Sequence, residues 1–548
     1  MADENFDIAI VGSGVGGLTA TIAAKLAGMQ PVLLEKREVI GGSSALSGGV
    51  LWLPNNPLMQ RDGIADSRES ALTYLANFVP EGDVCSTPAR REAFVDAVAP
   101  LVELMQSQDI PLLRCDGYSD YYDMLPGGNA TGRSLEAKVF NANRLGEWKK
   151  KFTSQNFPIP ARASESAKLT LLGVSWEGRM KAAQVGLRAA WGKLSGQAIY
   201  SSGAALQGRL LEVALRLGCD IRVNAGLTGL ETENGRVTGV HVTLDGRPET
   251  IRARRGVLIS AGGFARNAAM RKQYQQEPIS SDWTHANPGE TGEAIEAMAN
   301  AGAALGYMDE SWWIPTFANP DVPEGSNQIM PELHKPHVVV VDHSGQRFVN
   351  ESENYMAFGR ACYARDKTVP AIPAWAVMDA DHRKRYTFGF AMPGRVPKDW
   401  LKKGLAKQDN TIAGLARQCG IDPAALEATI SRWNEMCETA VDEDFGKGSS
   451  TYNRYYGDPT NLPNPCMGPV AKPPYWAAPL QIGDVGTCGG AVTDEHARVL
   501  RPDGSAIDGL YASGNCAAPI AGPHYVGAGH SIGCSAIFGM LAARHMAA

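Results

Sequence analysis

Asp7-Ile8-Ala9-Ile10-Val11-Gly12-Ser13-Gly14-Val15-Gly16-Gly17, near the start of the chain, decides how the rest of the sequence is read. The first five residues are almost all apolar and predict a parallel strand buried on both faces. The glycines fit G-x-G-x-x-G, a turn tight enough for backbone to approach a phosphate. Leu18 to Leu26 continues as a helix, with Ala20, Ala23 and Ala24 permitting close packing on a sheet. Pro31-Val32-Leu33-Leu34 predicts a second strand ending at Glu35, 18 residues beyond Gly17. An acid there accepts from ribose hydroxyls while the helix N-terminus takes the pyrophosphate. Strand, glycines, helix, strand and acid in this order specify a dinucleotide-binding βαβ unit. The fingerprint alone does not separate NAD from FAD.

Composition narrows the class. The 548 residues are 44% hydrophobic and 20% charged, as in a folded protein with a large core. A net charge of −6 gives no footprint for nucleic acid and no polybasic membrane patch. None of the ten cysteines forms a C-x-x-C pair, so a zinc site is not indicated. They read as small buried hydrophobes in a reducing compartment. Met1 to Phe6 lacks the basic and apolar regions of a signal peptide, and no apolar run approaches the ~18 residues of a membrane span. The expected location is cytoplasmic.

Further segments tilt the cofactor to FAD. Gly41-Gly42-Ser43-Ser44-Ala45 follows the acid with backbone N–H groups and hydroxyls that suit a flavin. Arg254 to Gly263 is a strand running into the turn Ala261-Gly262-Gly263, and Ile507 to Asn515 is another that ends at Gly514-Asn515. Ser531-Ile532-Gly533 opens a final helix whose N-terminal dipole suits the flavin's pyrimidine end. Cofactor contacts are therefore expected at Gly12, Ser13, Gly14, Gly16 and Gly17, and at Glu35 and Lys36. Gly42, Ser43, Ser44, Ser47, Gly48 and Gly49 form a second group, and the later segments contribute a third, to which Gly529 also belongs.

Together these pieces resemble the FAD-dependent fumarate reductase and succinate dehydrogenase flavoproteins, and more closely the 3-ketosteroid Δ1-dehydrogenases. The likeness runs through Gly41 to Gly49, Trp52-Leu53-Pro54, Gly117 to Tyr122, Pro126-Gly127-Gly128, Arg347 to Ser352 and Asp484 to Thr487. It implies an α/β fold: a Rossmann-like, glutathione-reductase-type FAD-binding domain (1–285 and 478–548) with an inserted α+β catalytic domain (286–477). It also implies desaturation of a cyclic 3-ketone by loss of an α proton and transfer of a β hydride to flavin N5. Tyr121, Tyr355, Tyr525 and Gly529 match the family's catalytic positions by local motif. In that scheme the Tyr525 hydroxyl and the Gly529 N–H hold the carbonyl oxygen as it becomes enolate-like. Tyr355 takes the proton, directly or through Tyr121. A phenol with pKa near 10 is a poor base at neutral pH, so the site must depress it or pass the proton on.

Other features bear on the substrate. Fumarate reductases hold a dicarboxylate with a His-Pro-Thr element; here the stretch is Trp312-Trp313-Ile314-Pro315-Thr316, better suited to a hydrophobic ring system. Tyr118, Tyr200, Trp312 and Trp313 are the expected pocket residues. If Tyr200 faces the pocket, it shortens it and favours a single-ring ketone, so a cyclohexanone-type substrate stays open beside a steroid. No histidine adjoins Ser43-Ser44, which predicts non-covalent FAD, reoxidised by a quinone-like acceptor. The 141–196 segment, with Trp148-Lys149-Lys150-Lys151-Phe152, reads as a helical cover with a solvated basic face, or else as a peripheral membrane contact.

Overall fold

Alternate residues of the first strand face different cores. In a computed structural model of the chain, residues 6–153, 159–319, 327–389 and 391–548 are described. Met1 to Asn5, where a targeting signal was sought, lie outside them. Ile8 and Ile10 join one apolar cluster, and Ala9 and Val11 join a second on the opposite face. This is the two-residue period of a strand covered on both sides, which explains its unbroken apolar sequence.

The strands that build the molecule are β1 (Phe6–Val11), β2 (Pro31–Leu34), β3 (Asp220–Arg222), β4 (Arg247–Ile259), β5 (Ser311–Phe317), β6 (Val338–Val341), β7 (Ala374–Met378), β8 (Tyr475–Thr487), β9 (Arg498–Leu500) and β10 (Ala506–Ala512). The first sheet runs β9-β10-β4-β1-β2-β3, parallel along this path except at the β9 edge, and two further strands, Arg236–Leu244 and Ala225–Glu233, extend it antiparallel from β4. The helices α1 (Val15–Leu26) and α2 (His530–Ala547) cover one face together; Gly539 presses on Gly16, where a Cβ would come within 2.4 Å of the Gly16 carbonyl oxygen. The two ends of the chain therefore meet in one layer.

The second sheet is antiparallel, in the order β5-β8-β7-β6. It too separates two cores: Val338 and Val340 face a tyrosine-rich cluster, Val339 and Val341 face the helices Ile412–Cys419 and Pro423–Thr439. β8 keeps pairing with β5 as far as Thr487, past the boundary read from sequence at 477/478, because its apolar alternation continues through Leu480 and Ile482. The junction is locked by a buried ion pair, Arg271 Nη1 to Asp484 Oδ2 at 2.6 Å, with Thr284 donating to the same carboxylate.

Candidate active site

Three segments far apart in sequence bring their tyrosines to one place. The ring of Tyr121 lies 5.5 Å from that of Tyr355 and 5.8 Å from that of Tyr525, and the last two are 5.1 Å apart. Each is held by its own backbone. The Tyr121 N–H donates to the Val526 carbonyl at 3.0 Å, tying the Tyr121 loop to the residue after Tyr525. The preceding Asp120 is buried and accepts from Trp52 Nε1 (2.7 Å) and Arg133 Nη1 (2.8 Å); burial pushes its carboxyl up to about 6. Tyr355 begins the helix α3 (Tyr355–Asp366), and Asn354 caps it by accepting from the Ala357 N–H. The loop before it is anchored by Glu351, which Arg347 grips at 2.8 and 2.9 Å.

Gly529 has φ +85°, and a Cβ there would come within 2.1 Å of the Val50 carbonyl oxygen. Its own carbonyl accepts from the Trp52 and Gly533 N–H groups, while among the described residues its N–H has no acceptor. The Tyr525 hydroxyl lies 3.1 Å from Ser531 Oγ and also bonds to Tyr355. The Tyr525 hydroxyl is buried and the Gly529 N–H is free, and these are the two kinds of donor that a developing oxyanion calls for.

Burial drives all three phenols upward. Tyr355 sits well above its ordinary value, with Tyr121 and Tyr525 adding to the effect of burial. The depressed phenol that the sequence argument allowed is therefore not what the unliganded pocket provides. A hydroxyl chain is present instead: Tyr121 and Tyr118 hydroxyls are 3.4 Å apart, and Tyr118 and Tyr456 hydroxyls 2.8 Å apart. Tyr452, Tyr455 and Tyr456 were missed in the sequence. Tyr455 stacks on Tyr118 at 4.3 Å and Tyr452 lies 4.6 Å from Tyr121. The one signal was the aromatic run Tyr452-Asn453-Arg454-Tyr455-Tyr456, with Asn453 bonded to Asn350 and to Ser352 of the loop before Tyr355.

Of the other pocket candidates, Trp312 joins the site: its ring is 5.0 Å from Tyr525 and its Nε1 donates to Asn515 at 3.1 Å. Trp313 does not. As the next residue on a strand it points to the other face, against Tyr363 (4.9 Å) and Gly359. Tyr200 is also absent. It stacks on Phe152 at 5.7 Å in the core beneath the first sheet, so it does not shorten the tyrosine pocket.

The glycine turn forms an open cradle. A Cβ on Gly14 would meet only Ser44 Oγ, at 3.4 Å, whereas one on Gly12 or Gly17 would strike backbone. Gly16 lies among the hydroxyls of Ser260, Ser513 and Ser535. Ser44 Oγ accepts from the Val15 N–H at the start of α1, and Glu35 accepts from the Ser13 N–H and hydroxyl. Ser43 is bonded to Glu290 and accepts from the Asn287 N–H; the buried Asn287 Nδ2 has no partner. Glu290 also accepts from the Gly263 N–H. Lys36 turns aside to pair with Glu293. Ser47 supports the turn at Gly48-Gly49 by accepting from the Gly49 N–H, and Gly49, with φ +65°, lies against the Ser202 backbone. Gly514, Asn515, Trp312 and Ser531, the hydroxyl partner of Tyr525, line one pocket. A Gly cradle at a helix N-terminus, an orphaned buried amide, and a second helix N-terminus at Ser531-Ile532 fit a dinucleotide with a polar ring system.

The FAD binding domain family matches residues 7–532. A 3-oxosteroid 1-dehydrogenase of Mycobacterium tuberculosis is 40% identical over all of this chain and 99% of its own length. The chain belongs to the 3-oxosteroid 1-dehydrogenase family. A member from Mycolicibacterium smegmatis is 38% identical over all of this chain and 98% of that one. The solved 3-ketosteroid Δ1-dehydrogenase of Sterolibacterium denitrificans, in complex with 1,4-androstadiene-3,17-dione, superposes with a TM-score of 0.93 at 34% identity, covering 99% of each chain. Family membership makes FAD the cofactor.

Proposed function

We propose that the chain is an FAD-dependent 1,2-desaturase of 3-ketosteroids. The observation that carries this reading is the convergence of Tyr121, Tyr355 and Tyr525, together with a Gly529 N–H that has no acceptor among the described residues. Bound non-covalently in the glycine cradle, FAD supplies the acceptor for the β hydride. The Tyr525 hydroxyl and Gly529 N–H hold the ketone oxygen and stabilise negative charge as the α proton leaves. Tyr355 receives that proton. Because burial disfavours its phenolate, it gives up its own proton in the same event, through Tyr121 and Tyr118 to Tyr456, whose own hydroxyl proton is released to solvent. Trp312 and the tyrosine rings exclude water and supply apolar walls for a fused ring system. A single-ring ketone is the weaker reading, since Tyr200 lies outside the pocket. Reoxidation is assigned to an external quinone-like acceptor and the site of action to the cytoplasm.

The test is anaerobic mixing of the yellow enzyme with androst-4-ene-3,17-dione or with cyclohexanone. Bleaching by the steroid alone is expected, and it should slow sharply in Tyr355→Phe with FAD retained. Full-speed bleaching in Tyr355→Phe would remove the proton-acceptor role; bleaching by cyclohexanone alone would replace the substrate.

A further inference from the structure

Arg90 is a buried cation that the desaturation scheme leaves unused. It is 2% exposed and sits in the first turn of the helix Pro88–Asp96, where Thr87 accepts from its N–H at 3.2 Å. Its guanidinium donates to the Cys85 carbonyl and, at 2.8 Å, to the Ala518 carbonyl, while the buried Nε has no partner. Arg133, Arg271 and Arg347 each grip a buried carboxylate, but among the described residues no acid pairs with Arg90. Two carbonyls satisfy hydrogen bonds without offsetting a charge removed from water. Burial holds the guanidinium down to about 10, so it is still charged at neutral pH.

The position of this charge gives it a use. Arg90 lines the same pocket as Asn515 and Ser531, where the polar ring system of the cofactor fits. Ser531, Cys534 and Phe538 recur at helical spacing along α2 and all line that pocket, so one face of α2 forms a wall. The Arg90 guanidinium lies 4.9 Å from the centre of the Phe538 ring. The other titratable side chains on the lining are uncharged: burial holds His530 down to about 3 and pushes the Cys488 and Cys534 thiols up. Among the described residues that line the pocket, Arg90 is the one ionised side chain. Arg209 and Arg383 are also held by carbonyls, but neither lines it.

Reduction changes what the pocket must hold. In the desaturation scheme the β C–H electron pair reaches flavin N5 as hydride, and the α proton goes to Tyr355. The oxidised ring is uncharged, so it gains two electrons, one hydrogen and one negative charge. No bond to Arg90 forms or breaks. A fixed cation in a low-dielectric wall favours the added charge more than water-exposed cations can. The N-terminal dipole of α2 acts in the same sense.

We propose that Arg90 is the charge partner of the reduced flavin, raising the cofactor's reduction potential and favouring hydride transfer out of a saturated ketone ring. The inference rests on the placement of FAD in this pocket but not on the identity of the ketone.

The test uses full-length, FAD-loaded protein without substrate. The flavin midpoint potential is read against a reference dye during slow anaerobic reduction. The Kd for sulfite, which adds at N5 and leaves negative charge on the ring, is read by bleaching. Arg90→Gln keeps donors for the carbonyls but removes the charge. It should make reduction at least about tenfold less favourable, a fall of about 30 mV for two electrons, and weaken sulfite binding by a similar factor. Arg90→Lys keeps the charge without the guanidinium fork and should retain most of both. Cys534→Asp leaves Arg90 and its carbonyl bonds in place and adds a carboxylate to the same wall; it should also lower the potential, and it decides the matter where Arg90→Gln does not hold FAD. Three results would overturn the proposal: Arg90→Gln that holds FAD with potential and sulfite affinity unchanged, Arg90→Lys that falls as far as Arg90→Gln, or Cys534→Asp with the potential of wild type. An enzyme that shows the expected shifts but is not bleached by the steroid would remove the substrate reading alone.

Discussion

Tyr355 occupies a pocket that penalises its phenolate, and this fixes what single substitutions should do. Removing one oxyanion donor costs about 10²–10³ in turnover, so Tyr525→Phe should lower kcat by that amount in a steady-state assay while FAD binding persists. The relay makes a separate prediction. Tyr456→Phe touches neither ketone nor flavin, yet it ends the hydroxyl chain at its 2.8 Å bond to Tyr118. It should slow turnover by about tenfold and alter the solvent isotope effect, with KM unchanged. Gly529→Ala must fit a Cβ 2.1 Å from the Val50 carbonyl oxygen at φ +85°. A loss on the order of 3 kcal/mol of stability is expected, read as a lower denaturation midpoint.

At the scale of elements, the site depends on how α3 and its preceding loop are held. Gly359 lets α3 lie close on β5; a Cβ there would come within 2.4 Å of Trp313 Cβ. Overpacking of this kind costs about 1–3 kcal/mol, so Gly359→Ala should lower stability by that range and shift Tyr355, which the bleaching rate reports. Glu351 is buried between Arg347 and Lys447. Glu351→Ala leaves Lys447 without its carboxylate and Arg347 with Asp442 alone, and removing one partner of a buried pair costs about 3–5 kcal/mol. The sequence showed Arg347 to Ser352 only as a family motif. In the structure it is the anchor that presents Tyr355: its charges hold the loop, while Val349 and Phe348 pack in the apolar cluster that contains the tyrosines.

For the whole molecule, buried titratable groups set the response to acid. His334 and His530 are fully buried and held down to about 3, and His285 and His524 to about 4, all chiefly by burial. The unfolded chain protonates these near 6.5, so their contribution is present above that pH and is lost as pH falls towards 3. Asp120, at about 6, and Glu332, at about 7, act in the opposite sense, stabilising the fold as pH falls from 7 to about 4. Below about pH 4 the carboxyl effect is exhausted and each fully buried histidine has cost about 3 kcal/mol. Urea midpoints should therefore already fall as pH drops from about 6.5 to 4, because the four histidines lose more than the two carboxyls return.

The sequence by itself determined the cofactor fold. A βαβ turn is a local object: an apolar strand, glycines where a Cβ would strike backbone, and an acid at the next strand's end are contiguous, so their spacing is readable. Family motifs also named Tyr121, Tyr355 and Tyr525. Only the tertiary structure decided the rest, because it depends on which way side chains point and on what comes near from far along the chain. Trp312 and Trp313 were equal in sequence, but the pleat of β5 sends one to Tyr525 and the other to Gly359. Tyr200 was a pocket candidate until stacking on Phe152 placed it in another core. Tyr456 gained a role only when its segment packed beside Tyr118, 338 residues away. Exposure is the last such quantity: Trp176, Leu187 and Trp191 are ordinary apolar residues of a helix until the packing of its other face leaves them in solvent.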